Sequence, residues 1–178
     1  MSIKIMFKKK LTNVSLTFFL FFISFIISPN NAELKQIGKF KDWIAYSEGE
    51  GRNLACMAVS KPKKEEGNYK VRGEVFSIIT HLPGQDKFNE FSIVTGYNYK
   101  QGSNPEVVIG DLKFQLFTAG SRAWSFSVAE DLKIIKSMKS SLKMRVTGTS
   151  SRGTITSDTY SLLGFSKAYQ KINEACKK

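Results

Sequence analysis

The sequence contains little of what metal and acid–base chemistry require. Only one histidine, His81, and two cysteines occur in 178 residues. Zinc sites take closely spaced Cys and His ligands, so two cysteines 120 positions apart do not form one. The chain also lacks a Gly-x-Ser-x-Gly motif and a glycine-rich phosphate loop followed by a helix. We therefore expect no enzyme activity, no catalytic residue, no metal and no cofactor.

Two catalytic alternatives remain open at this point. His81, in "ITHLPG", follows a predicted strand and could in principle serve as the base for Ser157 or Ser161, but we interpret it as a partly exposed loop histidine. Glycoside hydrolysis needs a pair of carboxylates, and the spacing of the acidic residues does not bring two together. These residues are scattered singly along the chain, as Glu74, Glu90, Glu106, Asp111 and Asp158.

No apolar run reaches the roughly 20 residues that a membrane-spanning helix needs. The longest, Leu16–Ile27, has 12 residues; it follows four lysines and precedes "SPNNA". This order predicts a secretory signal peptide over residues 1–32, cleaved between Ala32 and Glu33. The alternative is an uncleaved N-terminal anchor. Residues 33–178 would then form a single domain in the periplasm or outer envelope, with no transmembrane span.

Acidic residues are few. Without the four leader lysines, 23 basic residues face 15 acidic ones, a net charge of +8. A basic balance often indicates nucleic acid, but export argues against that partner. The partners that remain are an envelope or host-surface protein, a glycan or an anionic membrane surface. The alternative is that the charge only provides solubility.

The two cysteines of an exported chain predict a disulfide between Cys56 and Cys176. It would tie the start of the domain to its last helix. The alternative is two free buried thiols.

Short alternating segments separated by turns predict a mainly β protein. In "AWSFSV" we expect Trp124, Phe126 and Val128 to share the buried face of a strand, which pairs with "KFQLF" in a hairpin near Gly120. About eight strands and two helices indicate an antiparallel β-sandwich with a short inserted helix and a C-terminal amphipathic helix. Strict immunoglobulin domains place a Trp between their two cysteines, whereas Trp43 precedes Cys56 here.

The helices are predicted from apolar residues at helical spacing. "EDLKIIKSMKS" places Leu132, Ile135 and Met138 on one stripe, behind the acidic Glu130 and Asp131. "GFSKAYQKINEAC" does the same with its apolar stripe of Phe165, Ala168, Ile172 and Ala175. The first helix carries lysines every three residues, at Lys133, Lys136 and Lys139. They form either a basic stripe that binds an anionic surface or an ordinary solvated helix face.

The segment "SRGTITSDTYSLLGF" is rich in hydroxyl side chains. Neither face of the predicted strand is strongly apolar, so we expect an edge strand or an exposed sheet rim that leads into the last helix. Either Ser161 caps that helix or Gly164 begins it. A binding rim of Arg152, Asp158 and Tyr160 is a further possibility. Tyr97 and Tyr99 present a similar choice between a stacking site and simple packing.

An ordered set of motifs spans residues 56–176. It comprises "CMAVSKP", Arg72–Gly73, "EFSIVTGY", "VIGDLKFQLF", Ala123–Trp124, Met138, "GTSSRGTITSDTYSLLGFSKA" and Cys176. This set resembles the invasion-associated locus B family of alphaproteobacterial exported proteins. The resemblance implies an immunoglobulin-like β-sandwich in the periplasm or outer envelope. It also implies an association with bacterial entry into host cells, a virulence-related role, and no established enzymatic activity.

Three functions follow as hypotheses. The first is a non-enzymatic binding or interaction module at the cell envelope or host interface. The second is a structural or chaperone-like periplasmic envelope factor. The third is a periplasmic hydrolase that acts on cell wall or glycan.

Overall fold

The computed structural model describes residues 33–177. The predicted signal peptide, residues 1–32, lies outside this range, as does Ala32 of the expected cleavage site. Neither helix of the described range is long and apolar enough to cross a membrane.

Twelve strands and two α-helices make up the described chain. In chain order they are β1 (Lys35–Phe40), β2 (Trp43–Glu48), β3 (Ala55–Ser60), β4 (Lys64–Gly67), β5 (Phe76–Leu82), β6 (Lys87–Val94), β7 (Glu106–Ile109), β8 (Leu112–Gln115), β9 (Phe117–Ala119), β10 (Arg122–Trp124), α1 (Val128–Ser140), β11 (Lys143–Thr149), β12 (Ile155–Ser161) and α2 (Phe165–Ala175). Single 3-10 turns lie at Gly51–Asn53 and Pro83–Gln85.

The strands form two antiparallel sheets. The larger sheet has the order β1-β2-β3-β5-β6-β10-β9, and the smaller has the order β4-β12-β11-β7-β8. The expected hairpin is present only in part. Strand β9 pairs with β10 across the turn that contains Gly120, but residues 113–115 of "KFQLF" belong to β8, which pairs with β7 in the smaller sheet. The predicted fold class is confirmed as a mainly β sandwich with an inserted helix and a C-terminal helix.

The inner face of the larger sheet shows why the two layers form. Cross-strand pairing aligns Ala45, Ala58, Ile79 and Phe91 in one row, and all four are fully buried. Large side chains from the smaller sheet, such as Met144 and Tyr160, belong to the same hydrophobic core. The alternation of apolar and polar residues therefore directs one face of each sheet inward.

Strand β12 is not the edge strand that its polar sequence predicts. It lies between β4 and β11, and Thr156, Asp158 and Tyr160 are at most 2% exposed. The short, fully exposed β4 forms the edge instead. The prediction was wrong because the charge of Asp158 is neutralised by Arg72, which is 86 residues away along the chain.

Helix α2 begins after Gly164, which is one of the two starts predicted from the sequence; the other was a cap by Ser161. Gly164 is its N-cap with a φ of 92°, and a side chain at this position would collide with the carbonyl oxygen of Phe40. Phe165 packs edge-on against Trp43, with ring centroids 4.9 Å apart. The apolar face of the helix thus lies on the strands β1, β2 and β3.

The predicted disulfide is present between Cys56 and Cys176, whose Cα atoms are 6.1 Å apart. It joins β3 to the residue that caps the end of α2, so it ties the last helix to the larger sheet.

Helix α1 confirms the inserted helix, but its start overturns one strand prediction. Strand β10 ends at Trp124, and Ser127 caps the helix by accepting a hydrogen bond from the backbone N–H of Glu130. The Glu130 carboxylate in turn accepts from the backbone N–H of Phe126, at 2.9 Å. These reciprocal bonds resemble a capping box and turn the chain out of the sheet. Phe126 and Val128 are consequently 55% and 64% exposed rather than buried.

Candidate ligand-binding cleft

A cleft of about 590 Å³ opens where β9 and β10 meet the first turn of α1. Three aromatic residues, two carboxylates and an arginine line it, together with small side chains. The lining residues are Glu90, Phe117, Ala119, Arg122, Trp124, Ser125, Phe126, Ser127, Val128 and Asp131. This volume is in the range typical of small-molecule sites, about 300–1,000 Å³.

The aromatic side chains of the cleft form one contiguous cluster. Trp124 and Phe117 are direct cross-strand partners, so their rings project from the same face of the sheet. The rings stack with centroids 5.7 Å apart and planes 20° apart, and Phe126 lies 5.6 Å from Phe117. Phe117 and Phe126 are 40% and 55% exposed. Interaction sites are among the features that large exposed apolar patches mark, so this cluster is the candidate site.

Polar groups are fixed beside these rings. The indole N–H of Trp124 donates to Oε1 of Glu90 at 3.3 Å. Nε of Arg122 donates to the hydroxyl of Ser92 at 3.2 Å, and its guanidinium lies 5.7 Å from the centre of the Trp124 ring. The cleft therefore combines apolar rings with a cation and a carboxylate that are already oriented.

Asp131 forms the buried end of the cleft. Its carboxylate accepts hydrogen bonds from the hydroxyl of Ser125 at 2.5 Å and from the backbone N–H of Phe91 at 2.9 Å. Burial raises its pKa, and the neighbouring Glu90 raises it further, although both hydrogen bonds act in the opposite direction. Asp131 thereby connects α1 to β6 and β10.

The sequence prediction did not identify this cleft. The alternation of Trp124, Phe126 and Val128 is typical of a strand with one buried face, and that interpretation placed the exposed aromatics in the core. The pattern Ser127-Val-Ala-Glu130 is the signal that could have corrected it, because Ser followed three residues later by Glu marks a helix start. In the sequence, Asp131 stands out only as one of two acidic residues at the start of a predicted helix.

The three residues of the predicted binding rim do not share a surface. Arg152 is exposed, whereas Asp158 and Tyr160 are 1% and 0% exposed. Asp158 instead pairs with the buried guanidinium of Arg72 through two hydrogen bonds of 2.6 Å. Arg152 lines a separate groove of about 550 Å³, which also contains Arg72 and Tyr97.

The Arg72–Asp158 pair is held on several sides. Nε of Arg72 donates to the carbonyl oxygen of Thr95 at 2.7 Å, and its guanidinium lies over the rings of Tyr69 and Tyr97. Burial alone would lower the pKa of Arg72, but the hydrogen bonds and charge of Asp158 raise it, so the guanidinium stays charged. This ion pair therefore connects the segment after β4 to both sheets.

The tyrosine pair fits the packing interpretation. The rings of Tyr97 and Tyr99 meet edge to face with centroids 5.5 Å apart. The hydroxyl of Tyr97 is within hydrogen-bond distance, 2.7 Å, of that of Thr156, and Tyr99 is 6% exposed.

His81 is not a partly exposed loop residue. It lies within β5, is fully buried, and its Nδ1 accepts from the backbone N–H of Asn89 at 3.0 Å. Its Nε2 is 2.7 Å from Oδ1 of Asn173 on α2. Strand β5 runs on past the position expected for the turn, which accounts for the difference. Ser157 and Ser161 belong to the other sheet, so this imidazole connects β5 to β6 and α2.

The lysines of the possible basic stripe, Lys133, Lys136 and Lys139, are all exposed on α1. Nζ of Lys139 lies 4.1 Å from the centre of the Tyr169 ring on α2. Within residues 33–177, no cluster of His, Cys, Asp and Glu is suited to hold a metal ion.

Comparison with known proteins gives one match. The family model described as "Invasion associated locus B (IalB) protein" matches residues 43–173, from the first residue of β2 to near the end of α2. The matched range contains every residue that lines the aromatic cleft. No curated protein and no solved structure matches the chain.

Proposed function

Because the chain belongs to the invasion associated locus B (IalB) family, we propose that it is an exported envelope protein that binds a ligand through the aromatic cleft and catalyses no reaction. Export is supported by the leader pattern of residues 1–32 and by the Cys56–Cys176 disulfide, since such bonds persist in oxidising compartments. The interaction takes place in the periplasm or at the outer envelope, or at the interface with a host.

The single observation that carries the binding role is the exposure of Phe126 and Val128 beside the stacked Phe117 and Trp124. Placing these side chains in water forgoes the hydrophobic stabilisation that burial would give, about 1.5–3 kcal/mol for each large apolar side chain. A ligand that covers them recovers part of that free energy on binding. Aromatic and arginine side chains also dominate the energetics of known interfaces.

A non-enzymatic role is supported by the roles that the polar groups already have. Asp131 accepts two hydrogen bonds that fasten α1 to the larger sheet, and Glu90 accepts one from Trp124. His81 is enclosed between β5, β6 and α2, away from any described cleft.

One observation favours a hydrolase as the second candidate. Glu90 and Asp131 line the same cleft, and glycoside hydrolysis uses two carboxylates, of which the acid has a raised pKa. If the cleft is hydrolytic, isolated envelope glycan incubated with the protein releases new reducing ends, and Glu90→Gln abolishes the release. We expect no release.

The binding role is tested by affinity capture from solubilised envelope extract, with mass spectrometry of what is retained. A chain of residues 33–178 suffices, because both sheets, both helices and the disulfide lie within it. Phe126→Ser with Val128→Ser should lose the retained component. Val71→Ser with Ile155→Ser is the matched control, since these apolar residues are 91% and 65% exposed elsewhere.

The control also separates the two clefts. Val71 lines the groove that contains Arg152, so a loss of capture in the control pair alone would move the binding site to that groove. If neither pair of substitutions changes what is retained, neither the aromatic cleft nor the groove that contains Arg152 is the binding site.

A further inference from the structure

A second exposed surface lies where β11 begins and β12 ends, and it shares no lining residue with the aromatic cleft. Leu142 and Leu163 are 71% and 51% exposed, and they line one cavity of about 220 Å³. Lys63 and Lys143 line the same cavity. We call these two leucines and the lysines around them the leucine–lysine patch. The two leucines differ from singly exposed apolar residues, which are ordinary on protein surfaces, because both line the same cavity.

The backbone holds the leucine–lysine patch in place. The N–H of Leu162 donates to the carbonyl of Leu142 at 2.9 Å, and the N–H of Asp42 donates to the carbonyl of Leu163 at 3.2 Å. The N–H of Lys63 donates to Thr159 at 2.7 Å. The patch is therefore preformed, so a partner that covers it pays little ordering entropy.

The patch continues into a lysine-lined groove of about 310 Å³ on the outer face of the larger sheet. Lys63 lines both cavities, and the groove adds Lys39, Lys41 and Lys61. Its floor is apolar, formed by Ile44, Val59 and Phe76.

Positive charge is in excess over this surface. Lys63 pairs with Asp42 and Lys61 pairs with Glu74, and the pKa of Asp42 is lowered chiefly by its hydrogen bond from Lys63. Within residues 33–177, Lys39, Lys41 and Lys143 form no ion pair with a carboxylate. All three are exposed.

The composition of the patch indicates the occupant. Protein interfaces are enriched in aromatic residues and arginine and depleted in lysine. The exposed members of the patch are aliphatic side chains and flexible lysines. At a bilayer surface, leucine side chains enter the boundary between headgroups and acyl chains while lysines meet anionic headgroups.

We propose that the leucine–lysine patch docks this protein on a bilayer that contains anionic phospholipid. Leu142 and Leu163 insert at the interface, and Lys41, Lys63 and Lys143 contact the headgroup phosphates. The docking surface and the aromatic cleft share no lining residue.

The test is co-sedimentation of residues 33–178 with two kinds of vesicle, phosphatidylcholine alone and phosphatidylcholine mixed equally with phosphatidylglycerol. Binding is expected on the mixed vesicles at low salt and should fall as salt rises. Lys41→Gln with Lys143→Gln should weaken binding about 25-fold, because each lysine near an anionic surface contributes about fivefold. Lys133→Gln with Lys136→Gln removes the same charge from α1 and should have a much smaller effect.

The leucines are tested separately from the charge. Leu142→Ser with Leu163→Ser should weaken binding at least about tenfold, whereas Val71→Ser with Ile155→Ser should leave it unchanged. Phe126→Ser with Val128→Ser should also bind vesicles normally, which separates this proposal from the role of the cleft. Absence of binding to mixed vesicles at low salt, equal binding to both kinds of vesicle, or equal losses in patch and control variants would each overturn the proposal.

Discussion

Arg72 and Asp158 show how one residue pair determines the position of a whole strand. Both side chains are buried, at 3% and 1% exposure, and two hydrogen bonds of 2.6 Å join them. The charge of Asp158 makes β12 look like a surface strand in the sequence, although it lies inside the smaller sheet. The partner is 86 residues away, so no local pattern reveals it.

Removing one member of this pair should be costly. Asp158→Asn leaves the buried guanidinium of Arg72 with only the half-exposed Glu65 as a charged partner, 3.7 Å away, and we expect a loss of about 3 kcal/mol in the free energy of unfolding, measured by urea denaturation. Asp111→Asn, at an exposed position, is the control and should change stability by no more than about 0.5 kcal/mol. Equal stability of the two variants would contradict a structural role for the pair.

The raised pKa of Asp131 makes the stability of the protein depend on pH. The folded-state pKa of this residue lies above the ordinary value of 3.8, so the folded state binds more protons than the unfolded chain between those two pKa values. The stability contributed by Asp131 is therefore largest at low pH and falls as the pH rises through that window. The free energy of unfolding of the wild type, measured relative to Asp131→Asn, should decrease from about pH 4 towards neutrality. A difference that increases with pH would show that the hydrogen bonds from Ser125 and Phe91 outweigh desolvation.

At the scale of elements, the helices were predictable and some strands were not. The predicted stripe of α2 is confirmed at Phe165, Ala168 and Ile172, which are all fully buried. The stripe of α1 is only partly right, because Ile134 is buried while Leu132 is 47% exposed. Amphipathic helices carry their packing information locally, over a few turns. That is why both helices could be identified from the sequence.

Strands depend on partners that are distant in the sequence. About eight strands were expected and twelve are described, because short strands such as β4 and β10 acquire their identity from pairing. The strand prediction for the segment that contains Trp124 and Phe126 was wrong for a different reason. Its alternation predicts a strand, but the capping interactions of Ser127 and Glu130 end β10 and begin α1. The candidate cleft exists because of that early end.

The Cys56–Cys176 disulfide fastens helix α2 to the larger sheet. Cys176→Ser should lower the free energy of unfolding by about 2–5 kcal/mol under oxidising conditions, mainly by freeing a long loop in the unfolded chain. Thermal melting with and without reductant measures this stabilisation. Reductant should lower the melting temperature of the wild type towards that of the variant. An equal melting temperature for variant and oxidised wild type would contradict this prediction.

At the scale of the whole molecule, the outer face of the larger sheet carries the aromatic cleft and the lysine-lined groove that adjoins the leucine–lysine patch. Cross-strand pairing aligns one row across all seven strands, in the order Lys39, Ile44, Val59, Ile78, Ser92, Trp124 and Phe117. The lysine groove lies near β2 and the aromatic cleft near β10, four strand spacings apart. At about 4.8 Å per spacing, this separation is roughly 20 Å. The two surfaces are therefore separate on the sheet, so substitutions can alter one without touching the other.

A ligand that covers the aromatic cleft should slow the exchange of the backbone amides that it shields. Hydrogen–deuterium exchange of residues 33–178, with and without solubilised envelope extract, tests it most directly. We expect slower exchange along the backbone from Phe117 to Asp131 and in β6 around Glu90, and no protection of these segments in Phe126→Ser with Val128→Ser. Protection that appears only around Arg152, or that persists in the cleft variant, would contradict it.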